Sequence, residues 1–249
     1  MNYTDLIKSY RPTETTTFAV LMYGHSGSGK TTLAGTWPKP FFIDADRGMR
    51  SLNQTLPYLQ LKDSKTPFTL VLNVLQDALI KAGPWAPGGP LASVETIVID
   101  SMTALVDDYL MPEAMTEGKR NILNDKPSYD EYGKIKSRMT ALASVIKDLA
   151  QKYNIVVTAL VEEEKDENTG TLIGKPMITG KYRDKMQADY DETYYLTATK
   201  PLTGPMEYKL YAQPFQWYRA KSRLTTLTSL INPDYSKIRA SFKKIPTGV

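Results

Sequence analysis

The sequence predicts an α/β fold in which a mainly parallel five-stranded sheet is flanked by helices and followed by a C-terminal β-hairpin extension. Three observations predict this fold class. Five short, nearly continuous apolar runs have the composition of strands that are buried on both faces. Segments with helical periodicity lie between several of these runs, which favours an alternating order of strands and helices. A glycine-rich segment, residues 24–31, directly follows the first run.

The five apolar runs favour a parallel sheet because each carries apolar side chains at consecutive positions and not only at alternate ones. With 249 residues and 41% hydrophobic content, the chain is long enough to bury such a sheet in one domain. We expect a core over residues 1–200, with a hairpin and a basic tail over residues 201–249 that pack on the core or extend from it. The predicted strands are TFAVLMY (17–23), FFIDAD (41–46), TIVID (96–100), NIVVTALV (154–161) and ETYYLTA (192–198).

Two predicted helices have clear boundaries. Three leucines recur at helical spacing over residues 72–79, and Gly83-Pro84 ends that segment. Ser128 and Glu131 form an S-x-x-E capping box at the start of a longer helix. The apolar stripe of the longer helix predicts core packing and carries no chemistry. It consists of Tyr132, Ile135, Met139, Leu142, Ile146 and Leu149.

Two further segments are assigned from their composition and pattern. EEEKDENTGTLIGK (162–175) is polar and is typical of a mobile loop after the fourth strand. EYKLYA (207–212) and FQWYRA (215–220) both alternate apolar and polar residues. We expect these two runs to pair as a hairpin around Gln213-Pro214.

Composition argues against several classes of function. The chain has no cysteine and a single histidine, so a disulfide framework, a thiol nucleophile, a cysteine zinc site and a histidine-based triad are not expected. No run approaches the 18 apolar residues of a membrane-spanning helix, and the first residues lack the apolar stretch of a signal peptide. We therefore expect a cytoplasmic protein that does not associate with membranes.

The charge distribution is uneven. The formal net charge is +4, but residues 199–249 hold nine Lys/Arg against two acids. A basic end on a near-neutral body predicts a polyanionic partner, and a tail that merely aids solubility is the alternative.

The segment GHSGSGKT (24–31) matches the pattern G-x-x-x-x-G-K-[ST] and has a predicted strand before it and a helical segment after it. Such a loop wraps a phosphate chain with backbone N–H groups, and side chains at the glycine positions would block that approach. The dipole of the following helix adds positive charge. Lys30 would contact the β- and γ-phosphates, and the Thr31 hydroxyl would bind Mg²⁺. His25 occupies a variable position and is interpreted as incidental. The predicted nucleotide-binding residues are Gly24, His25, Ser26, Gly27, Ser28, Gly29, Lys30, Thr31 and Thr32.

Carboxylates at strand ends complete the predicted site, because open α/β sheets bind ligands at the carboxyl ends of their strands. Asp100 ends the third predicted strand and is the expected Mg²⁺ contact, with a helix N-cap as the alternative role. Asp44 and Asp46 end the second predicted strand on the same side, so periodicity alone does not separate them. Asp46 lies nearer the ligand edge, and we expect it to orient or deprotonate the attacking water.

Three segments together resemble RecA-type ATPases. GHSGSGKTTLAG, FFIDADRGMRSL and ETIVIDSMTAL are similar, in order and spacing, to that family's phosphate loop, second-strand acidic segment and third-strand segment. The resemblance covers about residues 15–225 and is closest to short phage-encoded RecA-core ATPases, which include Sak-type single-strand annealing proteins. It implies a RecA-like P-loop NTPase core, ATP and Mg²⁺ as cofactors, and ATP hydrolysis.

Two positions depart from the pattern of that family. The family's catalytic glutamate is matched here by Asp46, which is one methylene shorter, so we expect slow or DNA-stimulated hydrolysis. The family's glutamine or histidine that senses the γ-phosphate is matched by Glu162, whose negative charge makes it a poor sensor.

The resemblance also implies a homo-oligomer, either a ring or a filament, with ATP between subunits. Lys221 and Arg223 in YRAKSRL lie two residues apart at a predicted strand end and point the same way. They resemble the K-x-R or K-x-K pair with which such ATPases reach the neighbouring subunit's nucleotide, which would make both residues catalytic in trans. Two solvated basic residues on a hairpin are the alternative.

Single-stranded DNA is the expected polyanionic partner. RecA-like proteins bind DNA through loops after the third and fourth strands, which correspond here to residues 105–128 and 162–190. The first loop holds Lys119 and Arg120 but also several acids, and the second begins with three glutamates and then turns basic and aromatic. The C-terminal segment interleaves aromatic residues and cations, and non-specific binding of single strands needs that mixture. The resemblance implies a role in recombination or annealing in a bacterial host, and a phage single-strand-binding protein is a further candidate partner. The candidate residues are Lys119, Arg120, Lys175, Lys181, Tyr182, Arg183, Lys185, Tyr235, Lys237, Arg239, Phe242, Lys243 and Lys244.

Two other functions remain open. The glycine loop also suits a small-molecule P-loop kinase, which should carry an arginine-rich lid over the phosphates. No arginine-rich cluster stands between the fourth and fifth predicted strands, where Lys181 and Arg183 are the only candidates for such a lid. A helicase-like motor or loader in phage replication is the other alternative.

Overall fold

A nine-stranded sheet forms the centre of the fold in the computed structural model, which describes residues 17–167, 170–179 and 186–243. A separate two-stranded hairpin lies outside it. The strands are β1 (Ala19–Gly24), β2 (Pro40–Asp44), β3 (Tyr58–Gln60), β4 (Thr96–Asp100), β5 (Asn154–Ala159), β6 (Val161–Lys165), β7 (Leu172–Pro176), β8 (Glu192–Thr199), β9 (Glu207–Tyr211), β10 (Lys221–Ser222) and β11 (Ser229–Ile231).

The helices precede, follow or connect these strands. A π-helical segment, Leu105–Leu110, joins α3 to α4, and short 3-10 turns occur at Gly48–Ser51, Gly83–Trp85 and Gln187–Asp189. Within the described part of the chain, none of the helices is long and apolar enough to span a bilayer. The helices are α1 (Lys30–Ala34), α2 (Pro67–Ile80), α3 (Met102–Ala104), α4 (Met111–Glu117), α5 (Tyr129–Leu149) and α6 (Tyr235–Ala240).

The strand order is β11-β9-β8-β1-β5-β4-β2-β3, and β10 also pairs with β8. The run from β8 to β3 is parallel, whereas β9, β10 and β11 pair antiparallel. The predicted mainly parallel α/β sheet is therefore confirmed, and each of the five predicted runs contributes one of its strands. The sixth parallel strand, β3, was not predicted because it is only three residues long and its side chains are exposed or half-buried.

The sheet is covered on both faces, which explains the continuous apolar runs. Along β1, Leu21 packs into one apolar cluster with α2 and α5, and the adjacent Val20 packs into the other with α1 and α6. All six residues of β1 are buried. The strand that leads into the glycine loop is therefore held in the middle of the sheet, between β5 and β8.

Helix α5 begins as predicted. The Ser128 side chain accepts from the N3 backbone amide, and the Glu131 carboxylate accepts from the Ser128 amide. Five of the six predicted stripe residues are buried, but Tyr132 is 47% exposed.

The predicted pairing of EYKLYA with FQWYRA is wrong. EYKLYA forms β9, which pairs with β8 and β11. FQWYRA instead makes a tight turn in which Phe215 and Tyr218 bond to each other's backbone. Aromatic stacking favours this arrangement, because the Tyr218 ring lies 3.7 Å from that of Tyr195 and the Phe215 ring 3.8 Å from that of Tyr211.

The polar segment 162–175 is also more regular than predicted. It forms most of the β6–β7 hairpin, in which Glu163 pairs with Gly174. Glu164 forms an ion pair with Lys175, whose side chain is buried. The strand register and this ion pair give residues 162–165 and 172–175 a regular structure despite their polar composition.

Candidate nucleotide site

The glycine loop connects β1 to α1 at the carboxyl edge of the parallel strands. Gly27 and Gly29 have φ values of 78° and 83°, in the left-handed region that favours glycine. A Cβ on Gly24 would lie 2.3 Å from the carbonyl oxygen of Leu196, so only glycine fits beside β8. These glycines leave the backbone bare where a phosphate chain must approach it.

Lys30 is folded into the loop. Its side-chain ammonium donates to the carbonyl oxygens of Gly24 and His25 at 2.9 and 2.8 Å. Burial lowers the pKa of Lys30, and the nearby charges of Asp100 and Asp46 oppose that shift. Because α1 is only five residues long, we expect its dipole to contribute little positive charge at the loop. The loop amides and the Lys30 ammonium are then the main positive groups that face a phosphate.

Thr31 and Asp100, the two residues expected to contact Mg²⁺, lie within hydrogen-bond distance of each other. The Thr31 hydroxyl donates to Asp100 Oδ2 at 2.7 Å, and the Thr158 hydroxyl donates to Asp100 Oδ1. Burial raises the pKa of Asp100, and the two threonine hydrogen bonds act in the opposite direction. The helix N-cap role falls to Ser101, whose hydroxyl accepts from the Ala104 amide.

The structure separates the two carboxylates that follow the second predicted strand. Asp44 is the last residue of β2, and its half-buried carboxylate accepts from the Gly48 amide at 3.0 Å. Burial raises the pKa of Asp44. Asp46 lies beyond the strand end and is exposed, while its backbone amide donates to the Asp100 carbonyl at 3.1 Å. Asp46 is therefore the carboxylate with access to solvent water beside Asp100.

Gly48 and Thr158 belong to the site although no sequence motif marked them. A Cβ on Gly48 would lie 3.2 Å from both Asp100 Oδ2 and the Thr31 hydroxyl oxygen, and 3.7 Å from Asp46 Oδ1. Any side chain at Gly48 would thus crowd the groups expected to hold the metal. A polar residue inside the apolar run NIVVTALV was the only signal for Thr158.

His25, interpreted as incidental, is connected to the β6–β7 hairpin. Its Nε2 lies 3.3 Å from Glu163 Oε1, and the Tyr218 hydroxyl donates to the same oxygen at 2.5 Å. Glu162, the predicted sensor position, lies on β6 opposite Lys175. The neighbouring Glu163 is thus the residue of this acidic run that the structure brings to the glycine loop.

Lys221 and Arg223 do not lie at the glycine loop. Lys221 pairs with Thr193 of β8, whereas Gly24 pairs with Leu196. The offset of three residues along β8 corresponds to about 10 Å towards the opposite edge of the sheet. The Lys221 ammonium donates to the Gln187 and Tyr190 carbonyl oxygens, and the exposed Arg223 lies 4.0 Å from Asp191.

Several candidate DNA-binding residues already have partners within the chain. Lys175 is buried against Glu164, and Arg120 forms an ion pair with Glu131. Residues 105–117 of the first predicted loop are helical. In the C-terminal segment, Tyr235 packs on Trp37. The candidates Lys181, Tyr182, Arg183, Lys185 and Lys244 lie outside the described residues.

The residues present fit a magnesium-bound nucleotide. The loop provides bare amides and the Lys30 ammonium, and the adjacent Thr31 hydroxyl lies within hydrogen-bond distance of the Asp100 carboxylate. Among the described residues, no group of three or more His, Cys, Asp or Glu is arranged to hold a metal alone. Magnesium suits such a site, because it is commonly held by one or two protein groups together with phosphates and water.

Comparison with known proteins adds a family. One similar solved structure is the flagellar accessory protein FlaH from Methanocaldococcus jannaschii, with 10% identity, a TM-score of 0.41, and coverage of 86% of this chain and 84% of that chain. No curated protein matches the sequence. Residues 16–224 match the AAA domain family AAA_24, a span that includes the glycine loop, Asp46 and Asp100. The chain therefore belongs to this AAA domain family and has the nucleotide-binding fold of a P-loop ATPase.

Proposed function

We propose that the protein is a Mg²⁺-dependent ATPase that forms a homo-oligomer with ATP between subunits and binds single-stranded DNA without sequence preference. The observation that carries the enzymatic part is the Thr31–Asp100 hydrogen bond beside Lys30 and Asp46. This arrangement provides a metal-binding pair, a phosphate-binding cation and an accessible carboxylate within one edge of the sheet.

Each of these residues has a distinct role in the proposal. The loop amides and Lys30 bind the phosphates, for which the Lys30 ammonium exchanges its carbonyl partners for phosphate oxygens. Thr31 and Asp100 hold Mg²⁺, which neutralises phosphate charge when bound. Thr158 keeps the Asp100 carboxylate in position.

Asp46 is the proposed base or orienting group for water. Its carboxylate is exposed and near Asp100, and a cleft of about 370 Å³ lined in part by Ala45, Arg47 and Tyr109 opens beside it. This cleft gives water a route to the carboxylate. Asp44 is not suited to the role because its carboxylate is occupied by the Gly48 amide.

Oligomerisation would complete the site. Lys221 and Arg223 are too far along β8 to serve their own loop, but an exposed arginine on this edge can reach a neighbouring subunit. We include Arg223 as the principal trans-acting residue, since the Lys221 ammonium is engaged by two backbone carbonyls. A charge supplied in trans raises phosphoryl-transfer rates by ~10³–10⁵.

The DNA part of the proposal is supported by the net charge of residues 199–249, where nine Lys/Arg stand against two acids. A role in recombination or annealing within a bacterial host cell is the corresponding biological setting. Phosphate release measured with and without single-stranded DNA tests the DNA part of the proposal. A panel of nucleosides offered as phosphate acceptors tests the kinase alternative. DNA stimulation supports the proposal, whereas phosphate transfer to a nucleoside would indicate a kinase and strand separation a helicase-like motor.

The nucleotide site itself is tested by Lys30→Ala. We expect this change to abolish Mg·ATP binding in calorimetry, because no other ammonium enters the loop among the described residues. Lys39→Ala is the matched control, since Lys39 is exposed and pairs with Glu95 away from the loop. Normal ATP binding by Lys30→Ala would contradict the proposed site.

A further inference from the structure

We propose that the ring of Tyr208 is the platform on which the base of the bound nucleotide stacks, an inference that rests on the nucleotide binding proposed above. A Cβ built on Gly29 would lie 2.8 Å from Tyr208 Cδ1 and 3.1 Å from Cε1. The ring of a residue far away in the sequence thus lies against the last glycine of the phosphate loop. Tyr208 is nevertheless 37% exposed, so part of the ring remains accessible to a ligand.

The strand order indicates which end of a nucleotide would meet this ring. Asp100 ends β4, two strands from β1 on one side, and Tyr208 lies on β9, two strands from β1 on the other. Neighbouring strands are about 4.8 Å apart, so the backbones of Asp100 and Tyr208 lie about 10 Å to either side of β1. A triphosphate whose metal-bound end lies at Thr31 and Asp100 therefore directs its nucleoside end towards β9.

The height of Tyr208 above the sheet also suits a base. Tyr208 pairs with Ala198, two residues beyond the Leu196 that pairs with Gly24. It therefore stands past the end of β1, about 7 Å beyond Gly24, where ligands of open α/β sheets bind.

The backbone holds the ring in place. The Tyr208 amide donates to Asn232 Oδ1 at 3.1 Å, and the Asn232 amide donates to the Tyr208 carbonyl at 2.7 Å. β9 is paired with β8 on one side and β11 on the other. A tyrosine has two side-chain torsions, so a base that stacks on it requires little further ordering.

Stacking predicts the kind of selectivity that Tyr208 contributes. A ring face attracts any base, because every base presents a π-face and no hydrogen-bonding edge is read. The contribution of Tyr208 should therefore be similar for ATP and GTP, and it should be absent for inorganic triphosphate.

Calorimetric titration of the full chain with Mg·ATP, Mg·GTP and magnesium tripolyphosphate tests this. We expect Tyr208→Ala to weaken ATP and GTP on the order of tenfold while the affinity for tripolyphosphate stays unchanged. Tyr208→Phe should retain wild-type affinities. Tyr129→Ala, which removes a tyrosine that is 93% exposed on α5, is the control for loss of a surface ring.

Each contrary result has a different meaning. Unchanged ATP and GTP affinity in Tyr208→Ala would overturn the stacking role. An equal loss for tripolyphosphate would overturn it too, by showing that the ring only supports the loop. If the wild type bound neither tripolyphosphate nor ATP, nucleotide binding itself would be refuted, and the stacking role of Tyr208 with it. Photolabelling of the wild type by 8-azido-ATP gives a readout that needs no variant: modification of the peptide that contains Tyr208 supports the proposal, and labelling confined to other peptides contradicts it.

Discussion

At the scale of single residues, Asp44 and Asp46 show how the end of a strand gives two similar side chains different environments. Asp44 is still on β2 and its carboxylate is held by the Gly48 amide, whereas Asp46 has left the strand and is exposed. Alternation predicted one side for both, which holds only while the strand continues. The point at which β2 ends therefore decides which carboxylate can act on water.

Asp46→Asn should separate binding from hydrolysis. We expect turnover to fall by about 10²–10⁴, because a general base of that kind contributes this much. Affinity for Mg·ATP should stay within a few-fold, since Lys30, Thr31 and Asp100 are untouched. Steady-state phosphate release and calorimetry measure the two effects, and Asp46→Glu, which keeps a carboxylate, should retain activity. Undiminished turnover in Asp46→Asn would exclude the proposed role.

The sequence predicted the residues of the site that stand in a motif and missed those that act by contact. The glycine loop and Thr31 were proposed from a local spacing, and Asp100 from its place at the end of an apolar strand. Gly48, Thr158 and Glu163 reach the site through the sheet and the hairpin, and such contacts across the chain leave no local pattern.

At the scale of elements, the start of α5 shows a strong local signal and the C-terminal strands a weak one. The capping box was predictable because Ser128 and Glu131 bond to each other's backbone within one turn. The partner of β9 was not, because alternation identifies a strand but does not say which strand it pairs with. The rings of Tyr218 and Phe215 stack on Tyr195 of β8 and Tyr211 of β9, and contacts of this kind between distant residues leave no trace in the alternation of either strand.

The capping box also predicts a pH dependence of stability. The Ser128 amide, aided by Arg120, lowers the pKa of Glu131 below its ordinary value of 4.5. A carboxylate with a depressed folded-state pKa stabilises the fold above its unfolded pKa and loses that effect as the pH falls through the folded value. Glu131→Gln should therefore be less stable than wild type at pH 7, and the difference should shrink below pH 4.5.

Urea denaturation at several pH values between 7 and 3 measures this difference. Glu167→Gln, which alters an exposed carboxylate in the hairpin turn, serves as the comparison. A gap between Glu131→Gln and wild type that stays constant on acidification would show that ionised Glu131 does not support the helix start.

At the scale of the whole molecule, the two predicted halves of the catalytic machinery lie at different edges of one sheet. The glycine loop is at the carboxyl edge, whereas Lys221 pairs near the start of β8 and Arg223 directly follows that short strand. Arg223 therefore lies away from the glycine loop of the same chain. The proposed activity requires neighbouring subunits that face each other across the site.

A mixture of two inactive variants tests this arrangement. Arg223→Ala should bind ATP normally but lose turnover, and Lys30→Ala should fail to bind it. When the two variants are mixed and allowed to exchange subunits, intact sites form where a wild-type loop faces a wild-type Arg223, so phosphate release should partly return. Full activity of Arg223→Ala alone, or no recovery in a mixture shown to exchange subunits, would contradict a shared site.

The position of β1 has a consequence for the local stability of the protein. Its backbone is hydrogen-bonded on both edges and buried along its whole length, while β3 and β11 occupy the two borders of the sheet. Transient opening should begin at the borders and reach the centre only on global unfolding. Deuterium uptake should therefore be slowest at the amides of Val20–Tyr23 and fast at those of Ser229–Ile231, so fraying of the outer strands would leave the anchor of the phosphate loop intact.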